Sequence, residues 1–303
     1  MEWKDPPPEL AHHVVICNCS EQVRRIVAEV HADTVVDKPD VVLVVQDANL
    51  WRSHPEWHPE ANNVHTREHF FVLCQQRGPA HQETLAAASI RTARTAIILA
   101  DPRQGELADA RSTLVAMALE QQNPDVHTVM ELISSVNREH LRATEVNEVV
   151  CVGEIAERLI AQSCITPGVK NIFESVLVNK PGTNNIYIMG LPKSLAGTPY
   201  RELVRRAVMA KAPFGLIGFI QNSFLPPQPG DVKAMARCSK ETGLDIKPHK
   251  IFVLNPRVGV EPGRDTVLTE LDQLALIAYE RVRLDEYLVP AEEGQAAEAT
   301  DAV

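Results

Sequence analysis

Three groups of residues have chemistry to offer, and the first sits at a turn. In HVVICNCSEQVRRIVAEV (13–30) an apolar strand runs through a tight turn into a helix. A dinucleotide-binding unit places G-x-G-x-x-G there, so that backbone amides at the helix N-terminus can approach a pyrophosphate. Here the three glycine positions hold Cys17, Cys19 and Gln22, whose side chains crowd that approach. Ser20, at the same turn, reads most simply as the N-cap of the helix. Asp47 ends the next apolar strand, where an acidic residue would meet a ribose. Cys17, Cys19, Ser20 and Asp47 therefore mark a nucleotide site in degenerate form, and NAD is not the expected ligand.

Carboxylates form the second group. Asp47, Asp101 and Glu131 close three apolar strands, Asp109 lies just beyond the strand of Asp101, and Glu139 and Glu145 follow that of Glu131. Ligands of open α/β sheets bind outside the carboxyl ends of the strands. Several carboxylates meeting there suit Ca2+ or another hard divalent cation, which takes oxygen ligands. Asp101, Asp109 and Glu131 are the candidate metal ligands, and Glu131 stands out because it lies inside the apolar run VMELI. The plainer alternative is a set of solvated carboxylates at loop starts.

The third group is HPEWHPEANNVHTREH (54–69), with His54, His58, His65 and His69 interleaved with glutamates. Two i, i+4 pairs on helices could chelate zinc, but Pro55 and Pro59 disfavour a continuous helix, and a polar surface excursion is expected. Cys17-x-Cys19 has no matching second pair, so the scattered cysteines read as reduced thiols of a cytoplasmic protein. No G-x-S-x-G, G-x-x-x-x-G-K-[ST] or H-E-x-x-H occurs, so nothing points to nucleophilic or zinc-protease catalysis.

The elements that must position these groups follow a clear alternation. HHVVIC, DVVLVVQD (40–47), HFFVLCQ (69–75), TAIILAD (95–101), VHTVMELI (126–133) and NEVVCVG (147–153) read as strands. Helices fall between most of them, at SEQVRRIVAEVHA, HQETLAAASI, ARSTLVAMALEQQ and NREHLRATEV. Near-continuous Val/Ile/Leu runs suit a parallel sheet covered on both faces, and intervening helices imply right-handed crossovers in a doubly wound, Rossmann-like fold. Residues 154–178 then read as two helices broken at Thr166-Pro167-Gly168. Their apolar face must be buried somewhere, on a partner subunit or on the same domain. NNIYIMGLP, YRELVRRAVMA, FGLIGFI, KIFVLNP and DQLALIAYE make a small α+β domain, with a proline-bearing insert at about 222–249. The expected boundaries are a linker at 1–11, a Rossmann-like unit at 12–153, paired helices at 154–180, a small α+β unit at 181–285 and a disordered Ala/Glu-rich tail at 286–303.

Composition narrows the partners. The 303 residues carry a formal net charge of −10, with a pI near 5.6, which argues against nucleic acid or an anionic membrane surface. No run of 18 apolar residues occurs, so no membrane-spanning helix is expected.

The order of these motifs resembles a known family. HVVIC with its turn and helix, then RGPAHQETLAAASIRTARTAIILAD, DARSTLVAMALEQQNPDVHTVMEL and NREHL, are similar to RCK domains (regulators of K+ conductance), the TrkA/KTN-type gating modules of potassium channels and transporters. NNIYIMGLPKSLAGTPYRELVRRA and KIFVLNP…TVLTELDQLALIA resemble the family's C-terminal ligand-binding, TrkA-C-like subdomain, although Glu270-Leu271-Asp272 stands where a Gly-Asp step is usual.

The resemblance implies a regulatory module and not an enzyme. Its dimers would form through the paired helices of 154–178 and stack into an octameric ring that pulls on a potassium channel pore. The module would lie at the inner face of the membrane, on the same chain as the pore or as a separate subunit. The missing glycines place the chain nearest the calcium-gated branch. In that branch Glu131 would be a calcium ligand, while Ile133 stands where a second acid is usual. The alternatives are a nucleotide-sensing relative, an NAD-dependent oxidoreductase, and a scaffold that has lost its ligand.

Overall fold

The computed structural model describes residues 3–33, 35, 37–60, 63–144, 146–180, 182–223 and 249–289. The chain divides into two compact units, residues 1–171 and 172–303.

The first unit is built on a six-stranded, all-parallel sheet. Its strands are β1 (Val14–Cys17), β2 (Val41–Val45), β3 (Phe70–Cys74), β4 (Thr95–Ile98), β5 (His127–Leu132) and β6 (Glu148–Cys151). They lie in the order β3-β2-β1-β4-β5-β6. Val14 pairs with Val41 on one side and Thr95 on the other. β1 and β2 are buried along their whole length, which is why their sequences are apolar without alternation.

Successive side chains nevertheless go to opposite faces. Val15, Cys17, Val42, Val44 and Ile98 join one core with Leu85, Val115 and Leu119. These last residues come from α4 (Gln82–Ala87) and α5 (Ala108–Gln122). Val14, Ile16, Val41, Leu43 and Phe70 join the other core with Val23, Val27 and Trp51, from α1 (Gln22–Val30) and α2 (Ala48–Ser53). This is the doubly wound arrangement that the alternation implies.

Three stretches differ from expectation. The N-terminal segment, expected as a linker, lies along the edge strand. Lys4 bridges Phe71 in parallel, Val72 N–H donates to the Lys4 carbonyl at 3.0 Å, the Trp3 ring meets Phe70 edge-on at 5.0 Å, and Leu10 is buried. The excursion at 54–69 is packed instead of purely superficial. Pro55 begins a short 3-10 turn (Pro55–Trp57), and Asn63 caps α3 (Val64–His69) by accepting from Thr66 N–H. The expected helix over NREHLRATEV is a 3-10 segment spanning Ser135–Ala143.

α6 (Val152–Ile165) and α7 (Val169–Leu177) follow, separated by the expected break, and neither helix has a buried residue. Ile160 is 71% exposed, Ile172 63% and Phe173 47%. The apolar stripe is therefore not covered by the described residues of the chain itself.

The second unit is an antiparallel sheet, β7 (Asn185–Gly190), β8 (Phe214–Ser223), β9 (His249–Leu254) and β10 (Gln273–Ala278), in the order β7-β10-β8-β9. One face packs with α8 (Tyr200–Met209) around Leu203, Phe219, Leu274 and Leu276. Asp272, at the position of the unusual Glu-Leu-Asp step, is buried. Its carboxylate accepts from Thr269 N–H at 2.7 Å and Thr269 Oγ1 at 3.0 Å, closing the turn into β10. The core extends past residue 285, because Leu288 of α9 (Asp285–Leu288) is fully buried in it. Most of the insert at 222–249 and the tail from 290 lie outside the described residues. Among the described residues no helix is long and apolar enough to cross a membrane.

Candidate functional site

In the order β3-β2-β1-β4-β5-β6 the winding reverses between β1 and β4, and the crevice at their carboxyl ends is where ligands of such sheets bind. Cys17, Cys19, Ser20, Asp47, Asp101 and Glu131 lie on strand ends or turns at this edge, and Asp109 lies beside it in the first turn of α5. The structure shows what each one holds.

The turn from β1 to α1 is made without glycine. Asn18 adopts the left-handed conformation, with φ of 72°, which asparagine tolerates better than most residues. Its side-chain amide donates to the Leu99 carbonyl at 2.8 Å, tying the turn to the end of β4. Ser20 is not the N-cap that its position suggests: Glu21 takes that place, and the Ser20 hydroxyl, one residue earlier, accepts from Gln22 N–H at 3.3 Å within the turn. Cys17 and Cys19 are both buried. Burial pushes the Cys17 thiol up to about 12. It also raises that of Cys19, against the opposing charge of Arg103. A thiol held protonated is a poor nucleophile and metal ligand. Under native conditions a bulky thiol reagent should therefore label the exposed Cys74 and spare Cys17, Cys19 and Cys151, as read by peptide mass. Labelling of Cys17 in the folded protein would show that the turn opens.

Gln22 occupies the third glycine position and reaches across the crevice. Its Nε2 donates to Glu131 Oε1 at 2.6 Å, and the Ala100 N–H donates to Glu131 Oε2 at 3.0 Å. The Glu131 carboxylate thus joins the first turn of α1, the end of β4 and β5.

The remaining acids are also engaged. Asp47 caps α2, accepting from the N–H groups of Asn49 and Leu50 at 2.9 and 3.2 Å, so its carboxylate serves the helix start. Asp101 accepts from Arg103 Nε at 2.7 Å, Arg103 Nη2 at 3.0 Å and Gln104 Nε2 at 2.9 Å. Burial pushes its carboxyl up, but these hydrogen bonds outweigh burial and hold it below the usual carboxylate range. Arg103 also lies over the Trp57 ring, 5.7 Å from its centroid. Asp109, in the first turn of α5, is buried. It accepts from Ile133 N–H at 2.9 Å, Ser134 N–H at 3.1 Å and Asn137 Nδ2 at 2.7 Å.

The three expected metal ligands, Asp101, Asp109 and Glu131, therefore each already accept hydrogen bonds from protein donors. Among the described residues no group of three or more His, Cys, Asp or Glu is placed to hold a metal ion. Glu145 lies outside the described residues. The histidines do not form a zinc pair either. His54 stacks on Trp57 and bonds Glu56, His58 stacks on Trp51 and bonds its carbonyl, and His65 stacks on His69.

No family model matches the sequence. A calcium-gated potassium channel of Thermoplasma volcanium, TvoK, is 26% identical over 163 residues, covering 52% of this chain and 42% of that protein. The human SLO3 gating ring matches 92% of this chain and 46% of its own, with a TM-score of 0.57 and 14% identity. The GsuK RCK domain aligns over 96% of this chain and 50% of its own, with a TM-score of 0.37 and 15% identity. The chain spans less than half the length of the first two of these proteins. Similar in sequence over about half its length and in fold over nearly all of it, the chain resembles the RCK gating-ring domains of potassium channels.

Proposed function

We propose that this chain is the regulatory, gating-ring module of a potassium channel or potassium transport system. It would work without catalysis, at the inner face of a membrane, by self-association and by sensing a small ligand. The observation that carries the reading is that α6 and α7 each present exposed apolar side chains and neither has a buried residue. In an RCK-type assembly this stripe is the contact between two copies, and dimers stack into an octameric ring.

A divalent cation, Ca2+ first, is the proposed ligand, in keeping with the calcium gating of the thermoplasmal relative. Any ligand at the switch crevice must compete with the donors on Glu131. Binding there would break the tie between α1 and β5, and so couples occupancy to the position of α1. Only a ligand that binds two conformations unequally can shift their balance, and a crevice tied shut in one of them meets that condition.

Light scattering of the purified chain with and without Ca2+, Mg2+, ADP and NADH tests this, with calorimetry of Ca2+ against wild type and Glu131→Gln. Expected are a mass larger than one copy, a Ca2+ response, and loss of that response in the variant. A monomer that turns over a substrate would overturn the reading. Saturable nucleotide binding without a Ca2+ response would replace the cation by a nucleotide, and silence to all four would leave a scaffold.

A further inference from the structure

A stack of three imidazoles lies away from the switch crevice, where the C-terminus of α1, the connection from β1 to β2, and α3 meet. His31 caps the end of α1 and is completely buried. Its Nε2 is 2.9 Å from the Pro39 carbonyl, and its Nδ1 is 3.0 Å from Thr66 Oγ1. A carbonyl can only accept, so Nε2 carries the proton, and in the neutral ring Nδ1 accepts from the threonine hydroxyl. His65 meets His31 edge-on at 4.7 Å and stacks on His69 at 4.1 Å. Its own Nε2 is buried without a partner. His69 Nδ1 bonds Asp40 at 2.6 Å.

The charges facing the stack are few. Among the described residues Asp40 is the one carboxylate bonded to it, and Asp40 also acts on the buried His13. Glu68 acts on His65 from α3 itself. Lys38 adds a positive charge near both His31 and His65, and its partner is Asp33 at 3.3 Å. Among the described residues three imidazoles therefore share one bonded acid.

α3 runs directly into β3, the edge strand on which Trp3 and Lys4 dock. We infer that the stack is a proton-operated clasp: protonating His31 and His65 frees α3 from the end of α1, loosens the edge strand, and releases the N-terminal segment. The ligand is the proton, and what moves is the segment that leads into the first unit. The release does not depend on the regulatory reading above. If that reading holds, the clasp gives the module a response to acid that is separate from the crevice.

The sign follows from burial. His31 is held at about 4, chiefly by desolvation and then by its neighbours His65, His69 and Lys38, against a normal value of 6.5. The opened form therefore takes up the proton more readily. Closure is complete above about pH 6.5 and is lost as pH falls toward 4. Between pH 7.5 and pH 5 this linkage favours opening by roughly 30-fold.

Hydrogen exchange read by mass spectrometry at pH 7.5 and pH 5.0, corrected for the intrinsic pH effect, tests the clasp. Peptides covering α3, β3 and residues 3–10 should exchange roughly 30-fold faster at pH 5.0, while β1 and β4 keep their protection. His31→Gln should remove most of that difference. His65→Gln, less buried and expected to fold, should shift the opening to lower pH. A uniform loss of protection through the whole first unit would overturn the proposal, and so would a pH-independent pattern. Loosening confined to the surroundings of His13 and Ala88, which are joined by a hydrogen bond, would assign the response to His13 instead. If His31→Gln does not fold, an opening pH in His65→Gln equal to wild type is enough to reject the clasp.

Discussion

Asp109→Ala should destabilise the first unit by about 3 kcal/mol, because it removes the acceptor of three hydrogen bonds from a buried position. Two of the donors are the successive backbone amides of Ile133 and Ser134, just past the end of β5, and the third is Asn137. Left without an acceptor, each donor must find water or stay unpaired, and hydrogen bonds to a charged group are worth about 1.5–3 kcal/mol apiece at the upper end. All three tryptophans, Trp3, Trp51 and Trp57, lie in the first unit, so urea unfolding followed by tryptophan fluorescence reports that unit alone. Asp109→Asn keeps the shape but turns one acceptor into a donor facing an N–H, and should fall between wild type and alanine. Asp47→Ala, which loses only the cap of a six-residue helix, should cost about 1 kcal/mol. If Asp109→Ala and Asp47→Ala shift the midpoint equally, Asp109 does not hold the loop after β5. That loop begins two residues after Glu131, so this buried carboxylate is the support on which the crevice rests.

Asp109 also shows what a sequence conveys and what it withholds. Its place at the carboxyl edge of the sheet was legible, because the apolar strands and their order follow from composition and alternation. The run DVVLVVQD had to be a strand buried on both faces, and β2 lies within it. The Thr-Pro-Gly break between α6 and α7 was legible for the same local reason. What each acid does was not legible. A carboxylate at a strand end has the same local pattern whether it awaits a cation or holds a neighbouring loop, and the deciding partner lies far away in the chain. Gln22 and Glu131 are 109 residues apart, and Asp109 and Ile133 are 24 apart.

The signal that could have been read is at the turn itself. A glutamine at the third glycine position is polar and long enough to cross a crevice, and an asparagine between two cysteines can take the left-handed conformation that glycine would supply. The histidine-rich excursion hid its packing for another reason. Two prolines suggested an open loop, but Pro55 starts a 3-10 turn, and Pro59 and Thr66 are buried.

Ile160→Asp combined with Phe173→Asp should convert an associated chain to single copies at micromolar concentration while leaving both units folded. Both residues lie on exposed faces of α6 and α7, so in an isolated chain a carboxylate there stays in water and costs little. In an interface formed by those faces it would be buried without a partner, at about 3 kcal/mol or more. Each such carboxylate weakens association by about 100-fold. Sedimentation velocity of wild type and variant at matched concentration measures the change, and circular dichroism confirms that the fold survives. The asymmetry between the two states gives the test its force. A substitution that harms folding loses mass and structure together, whereas one that harms only association loses mass alone. An unchanged sedimentation coefficient would mean that these helices are not where copies meet. The regulatory reading would then lose the feature on which it rests, because a sensor with no second copy to move against cannot convert occupancy of its crevice into a pull on a pore.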